Sequence, residues 1–175
     1  RVLRPGGMAF VAARELTKPA RAGTDDWSHP YHGPDNNPQS ADQLARAPYL
    51  THFLADPLFG CQPEVTVTAG GRIFKAFGHM SFRAHQNPVL NTLMAFSAHN
   101  GALLWQRDLK QGFMIHRNTL VATPDALYLA DDESCKVIDA ATGQIQDEIR
   151  VSPDIADGPV WKWMAVENGV LYALV

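Results

Sequence analysis

Three ten-residue segments of this chain align without a gap: V-T-V-T-A-G-G-R-I-F from Val65, T-L-V-A-T-P-D-A-L-Y from Thr119 and W-M-A-V-E-N-G-V-L-Y from Trp163. Each reads as strand, three-residue turn, strand, with turns Ala69-Gly70-Gly71, Thr123-Pro124-Asp125 and Glu167-Asn168-Gly169 built from turn-forming residues. A second unit repeats between them. The stretch L-M-A-F-S-A-H-N-G-A-L-L-W-Q-R-D-L, Leu93 to Leu109, predicts two strands joined at Asn100-Gly101, a pair that supplies the positive φ of a tight hairpin. K-V-I-D-A-A-T-G-Q-I-Q-D-E-I, Lys136 to Ile149, is a weaker copy that places Ala98 on Ala140 and Gly101 on Gly143.

Each unit therefore holds two hairpins. The spacing between the three segments is 54 and then 44 residues, and the excess falls at His79 to Asn91, which reads as an insertion loop. Four short strands per roughly 40–50 residues is the period of a β-propeller blade, which cannot bury both faces alone and stacks on its neighbours. Helical repeats of similar length are excluded, because the units are rich in Val, Ile, Thr, Tyr and Gly turns and lack a sustained 3.6-residue period. The expected fold class is all-β: a partial propeller of about two and a half four-stranded blades over residues 64–175.

Two segments precede the blades. Residues 1–23 open R-V-L-R-P-G-G-M-A-F-V-A-A, which reads as a helix end, a Pro-Gly-Gly turn and a short apolar strand. Residues 24–63 form an irregular arm in which five prolines from Pro30 to Pro57 argue against a long helix. Ala41 to Ala47 is expected to make one helical turn capped by Ser40. Trp27, Tyr31, Tyr49, Phe53 and Phe59 give the arm enough apolar mass to pack on a sheet. The chain begins with Arg1 and stops inside the strand-like run V-L-Y-A-L-V, so it is expected to be a piece of a longer polypeptide. An incomplete ring leaves a strand edge and a blade face open, which predicts self-association.

Charge and composition narrow the function classes. Charged residues make up 19% of the chain and the net charge is −3, with both signs interspersed and no basic stripe. Nucleic-acid binding by phosphate neutralisation is therefore not expected. The longest apolar run near the start, Met8 to Ala13, is too short for a membrane span. Cys61 and Cys135 fit neither C-x-x-C nor C-x-x-C-H.

Candidate chemistry is sparse. His29 and His32, in W-S-H-P-Y-H, are the candidate metal ligands, with Asp25, Asp26 or Asp35 able to add a carboxylate. Pro30 prevents their presentation on a helix, and the competing reading is a loop fixed by imidazole hydrogen bonds. Asp131-Asp132-Glu133 lacks the D-x-[DN]-x-[DN]-G spacing of a Ca²⁺ loop and reads as a solvated connection. His79, His85 and His116 fall in or beside loops, and no G-x-S-x-G elbow offers a nucleophile.

At A-F-S-A-H-N-G-A-L-L-W the chain resembles the pyrroloquinoline-quinone-like propeller repeat, A-x-D-x-x-T-G-x-x-x-W. Ala95, Asn100, Gly101 and Trp105 occupy signature positions, with Ser97 and Asn100 departing from the pattern. In the second copy Asp139, Thr142 and Gly143 match, while Asp147 stands where the tryptophan would be. The resemblance implies that Trp105 packs between adjacent blades. The L-R-P-G-G opening resembles a stretch near the carboxyl end of class I S-adenosylmethionine-dependent methyltransferase domains, without their cofactor-binding Gly-rich loop, which implies that residues 1–23 are the carboxyl-terminal remnant of such an α/β domain. D-D-W-S-H-P-Y-H-G-P-D-N-N-P-Q-S-A-D followed by A-G-G-R-I-F resembles bacterial fusions of a methyltransferase-like domain with such a propeller. These resemblances imply a non-catalytic interaction scaffold within a larger exported, extracytoplasmic protein, partnered by the remaining blades and by a further protein. One alternative is part of a quinone-dependent dehydrogenase, the only reading that brings pyrroloquinoline quinone and Ca²⁺. The other is part of a methyltransferase fusion whose catalytic loop lies upstream. No cofactor or catalytic residue is evident in the chain itself.

Overall fold

A computed structural model describes residues 3, 7–48, 50–51, 53–58, 60–111, 118–155, 158 and 160–175. The strands follow the repeat. The first blade is an antiparallel meander of β3 (Val65–Ala69), β4 (Arg72–Phe77), β5 (Thr92–Ser97) and β6 (Leu103–Asp108). The second is the same meander of β7 (Leu120–Ala122), β8 (Ala126–Ala130), β9 (Cys135–Asp139) and β10 (Ile145–Ile149). β11 (Trp163–Glu167) and β12 (Val170–Leu174) form the first hairpin of a third. The innermost strands stand side by side, with β7 against β3 on one flank and against β11 on the other. Two four-stranded blades and a half-blade arranged about a shared inner edge make the chain a partial β-propeller.

Alternation along the strands explains the stacking. Val65, Val67, Ala69, Phe74, Ala76, Leu93 and Ala95 bury one face of the first blade against Leu120, Ala122, Leu127, Leu129, Ile138 and Ala140 of the second. The second blade's other face, Val121, Ala130 and Cys135, buries against Trp161 and Met164. β5 is buried along its whole length, because Met94 and Phe96 on its opposite face pack with Cys61, Phe77 and Val89 under the arm.

Several local expectations are corrected. The connection at Gly101 is longer than a tight Asn-Gly hairpin: Gly101 alone takes positive φ (71°), and the Gly101 N–H reaches the Ser97 carbonyl at 2.8 Å. The second copy closes identically, from Gly143 N–H to Asp139 O at 2.9 Å. Two of the three inner turns are shorter than three residues, since Ala69 and Glu167 already belong to strands. Gly70 and Gly71, and likewise Asn168 and Gly169, all adopt positive φ, the two-residue geometry whose twist matches a hairpin. Pro124 is locked at negative φ, so the middle unit keeps a three-residue connection. The insertion between β4 and β5 carries a 3₁₀ helix, Ala84–Val89.

Ala41 to Ala47 is not helical. Asp42 receives the Leu44 amide at 2.6 Å and the Ala45 amide at 2.7 Å, while Ser40 accepts the Asp42 amide at 3.1 Å and donates its hydroxyl to Asp25. In the first segment the predicted strand ends at Val11, because Ala12 and Ala13 take positive φ and return the chain as a hairpin of β1 (Met8–Val11) with β2 (Arg14–Thr17). The helix end and Pro-Gly turn read before it fall largely on residues outside those described, as do Tyr49, Phe59 and His116. Tyr31 does not pack as expected; it is exposed. Among the described residues no helix is long and apolar enough to cross a membrane.

Candidate functional site

The inner strand of a blade has one edge with no strand beside it, so its amides need acceptors from elsewhere. Thr68, Ala122 and Val166 occupy the same position of the three aligned segments, on β3, β7 and β11. Three consecutive arm residues serve them. The Thr68 N–H donates to Trp27 O (2.6 Å), the Ala122 N–H to Ser28 O (2.8 Å), and the Val166 N–H to His29 Nε2 (3.0 Å). The Trp27 N–H returns a bond to Thr68 Oγ1 at 2.7 Å, and Asp26 Oδ2 accepts the Gly70 N–H at 3.1 Å. The arm thus runs across the inner edges of all three units.

A compact turn holds these residues in place. His29 and His32 exchange backbone hydrogen bonds at 3.2 and 3.1 Å across Pro30-Tyr31, with His32 at φ 77°. The Trp27 indole donates to Pro30 O at 3.3 Å and meets the His32 ring edge-on at 5.3 Å. His32 Nε2 pairs with Asp25 Oδ2 at 2.6 Å, and the same oxygen accepts Ala41 N–H (2.6 Å) and Ser40 Oγ (3.1 Å). Burial pushes the Asp25 carboxyl up, but the Ala41 amide, His32 and Ser40 outweigh it and hold it below its ordinary range.

His29 is buried, and its tautomer follows from its partners. An amide can only donate, so Nε2 carries the lone pair and Nδ1 the hydrogen. Nδ1–H then donates to Ser28 Oγ at 2.8 Å, and the Ser28 hydroxyl donates to His32 O at 3.3 Å. Burial lowers the His29 pKa; Asp35 opposes that shift and His32 adds to it. A neutral ring is what this position requires, since a protonated one would face the Val166 amide with a second donor.

The structure brings His29 and His32 together through their backbones, while their rings engage different partners. Both nitrogens of His29 and Nε2 of His32 are engaged in hydrogen bonds to protein groups. Among the described residues no group of three or more His, Cys, Asp or Glu side chains is placed to hold a metal. Asp131 accepts the Glu133 and Ser134 amides and pairs with Lys136; Lys110 pairs with Glu133 at 2.9 Å and Asp132 at 3.6 Å. His79 and His85 lie exposed in the insertion. Cys61 and Cys135 are buried free thiols, and burial pushes Cys135 up to about 12.

The repeat-signature residues lie at the outer end of the blade seam. The Trp105 indole of blade one lies on Gly143 of blade two, where a Cβ on the glycine would stand 2.7 Å from Cδ2 and Cε3. Its Nε1–H donates to Ala140 O at 3.1 Å, Arg107 donates to Gly143 O, and Phe74 packs beside the indole at 5.9 Å. Asp139 Oδ1 gathers the Ala141 N–H (3.0 Å), the Thr142 N–H (2.7 Å) and the Thr142 hydroxyl (2.8 Å), which shapes the turn that presents Gly143. In the first copy Ser97 Oγ accepts the His99 N–H at 3.3 Å and Asn100 Oδ1 the Ala102 N–H at 3.1 Å. Ala95 is fully buried in the seam.

Trp27 and Ser28 escaped the sequence reading as functional residues. Their only signal was position in a Trp-Ser-His run after paired aspartates, because most groups they bind are backbone atoms far along the chain. No family model and no curated protein sequence matches the chain. Among solved structures, the crystal structure of BamB from Moraxella catarrhalis is similar at a TM-score of 0.37 and 13% identity, over 95% of this chain and 56% of that one. The chain thus spans little more than half the length of that protein.

Proposed function

We propose that the chain is a non-catalytic propeller segment that serves protein or ligand interaction within a larger exported protein, completed by further blades of the parent chain. The observation that carries this reading is the arm across the inner strand edges. Trp27, Ser28 and His29 take the Thr68, Ala122 and Val166 amides, so the inner edge is committed to structure. A ligand seated against those strand edges would first have to displace the arm. The polar cluster around Asp131 is explained by a turn and by its ion pair with Lys136. Extracytoplasmic placement accompanies the repeat resemblance.

Titration with pyrroloquinoline quinone and Ca²⁺, followed by absorbance and by oxidation of alcohols and sugars, tests the reading. The expected result is no quinone uptake. Stoichiometric uptake with substrate oxidation would overturn it.

Methyl transfer by a fusion partner is the second reading. The β1–β2 hairpin favours it, since Met8 and Phe10 on one face and Val11 and Leu16 on the other are all more than half exposed and offer apolar surface to a neighbouring domain. This chain lacks the Gly-rich loop and is expected not to bind S-adenosylmethionine by calorimetry; binding would place that chemistry within it.

A further inference from the structure

The connection between β4 and β5 is far longer than the meander requires. Blade two joins the matching strands, β8 and β9, through Asp131 to Ser134, whereas blade one runs from Gly78 to Asn91. The extra chain is tied together by its own hydrogen bonds. The Gln86 N–H donates to Arg83 O at 2.9 Å and the Leu90 N–H to Asn87 O at 3.1 Å. Ser81 Oγ donates to Asn87 Oδ1 at 2.7 Å, and the Phe82 N–H to Gln86 Oε1 at 3.2 Å. Val89 anchors the segment beside Phe77 and Phe96, and Gln86 Nε2 reaches Gly60 O at 3.3 Å. The segment so fixed presents the Phe82 ring wholly exposed, where it adds nothing to the core.

A cleft of about 640 Å³ opens between this insertion and the chain leaving β6. His79, Ser81, Asn87, Asn91 and Gln111 border it with Phe82, and among the described residues no Lys, Arg, Asp or Glu does. Asn91 is the informative member. Its N–H donates to Gly78 O at 2.9 Å, its carbonyl accepts the Leu109 N–H at 2.7 Å, and its φ is 53°. Asparagine tolerates that left-handed backbone, which accounts for the residue type. It does not account for the side-chain oxygen: Oδ1 is buried, and no described group donates to it. A buried acceptor of this kind calls for a donor.

We propose that this cleft is a binding site for a neutral saccharide. Sugar hydroxyls both donate and accept, so one ligand can give a hydrogen to Asn91 Oδ1 and take hydrogens from the Asn87 and Gln111 amides. An acidic ligand would find no lysine or arginine in the lining. The exposed phenyl face of Phe82 supplies the flat apolar surface on which the C–H face of a pyranose ring stacks. An aromatic wall with a few convergent polar groups, within roughly 300–1,000 Å³, is the usual make-up of a small-molecule site. As the ligand of an interaction scaffold the saccharide rests on that reading; as a binding site the cleft does not.

The test applies the chain to an array of neutral and acidic glycans, then titrates the best-retained glycan by calorimetry. Retention of neutral glycans is expected. Phe82→Ala should weaken binding about tenfold and leave the melting midpoint unchanged, because the ring is wholly exposed. Asn91→Gly keeps the left-handed backbone accessible, removes the orphan acceptor and should also weaken binding. Phe10→Ala, exposed on the β1–β2 hairpin, should bind as the parental chain does. The proposal is overturned if no glycan or only acidic glycans are retained. It is equally overturned if Phe82→Ala or Asn91→Gly binds like the parental chain, or if Phe10→Ala weakens binding as much as they do. Quinone uptake would remove the scaffold reading and leave glycan retention intact, so the two failures are distinct.

Discussion

Trp105 lies face-down on Gly143, and the seam between the two blades closes at that contact. Its indole donates to Ala140 O while Arg107 holds the Gly143 carbonyl, so the ring is fixed by hydrogen bonds as well as by packing. The ring is half-buried. Trp105→Ala should therefore cost about 2–3 kcal/mol, below the roughly 3–5 kcal/mol typical of a fully buried aromatic. Urea unfolding monitored by far-UV circular dichroism measures it.

Gly143→Ala should also destabilise, because the new methyl meets the indole at 2.7 Å and φ is 75°. The clash and the strain separate in a double mutant. In the Trp105→Ala background the clash disappears, so Gly143→Ala should there retain only the backbone penalty of about 1 kcal/mol. Equal costs in both backgrounds would show that the indole is not what the glycine accommodates.

His29 makes the arm's grip pH-dependent. Burial holds the folded ring below its ordinary value of 6.5, so the unfolded chain takes up the proton first as pH falls. The stability contributed is complete above about pH 6.5 and is lost as pH drops through that value towards the lower folded pKa. His29→Gln can still offer an oxygen to the Val166 amide and does not titrate. Its unfolding free energy should vary less than the parental value between about pH 5 and 7.

Asp25 works in the same turn by a different balance. Its carboxylate is favoured in the folded chain by Ala41, His32 and Ser40 despite burial, so its contribution is present above the ordinary 3.8 and lost as pH falls through the lower folded value. Asp25→Ala removes the acceptor shared by His32, Ser40 and the Ala41 amide. A loss of about 1–2 kcal/mol is expected, together with faster hydrogen exchange at Ala41.

The blades were legible because a repeat constrains many residues at once. Val65, Thr119 and Trp163 begin segments whose inner turns recur in register, and the glycines at 101 and 143 mark the second hairpins. Turn lengths were less legible, since Ala69 and Glu167 fit equally well in a turn and at a strand end. The arm was legible only as an irregular segment with two histidines. Its hydrogen bonds join Trp27 to Thr68 and His29 to Val166, and these partners contribute amides that no side-chain motif records. The cover on Gly101 was hidden for a related reason: only the folded geometry brings Phe53 and Ala55 of the arm over that glycine, where Trp105 of the neighbouring blade covers Gly143.

The two copies of the outer turn provide a final test, because they differ where the turn is held. Asp139 collects three donors on one oxygen, and Gln146 reaches its other oxygen at 3.0 Å. Ser97 and Asn100 divide the equivalent task and make one bond each, at 3.3 and 3.1 Å. The Ser97→Asp, Asn100→Thr double variant should import the stronger arrangement into blade one without disturbing Gly101, whose amide bonds to a backbone carbonyl. Its melting midpoint should rise, and exchange of the residue-99 and residue-100 amides should slow. The reciprocal Asp139→Ser, Thr142→Asn variant should lower the midpoint and speed exchange at Ala141 and Thr142. Since Gly143 must stay seated under Trp105, the reciprocal change should also make the indole emission more solvent-exposed, whereas the blade-one change should leave that emission where it is.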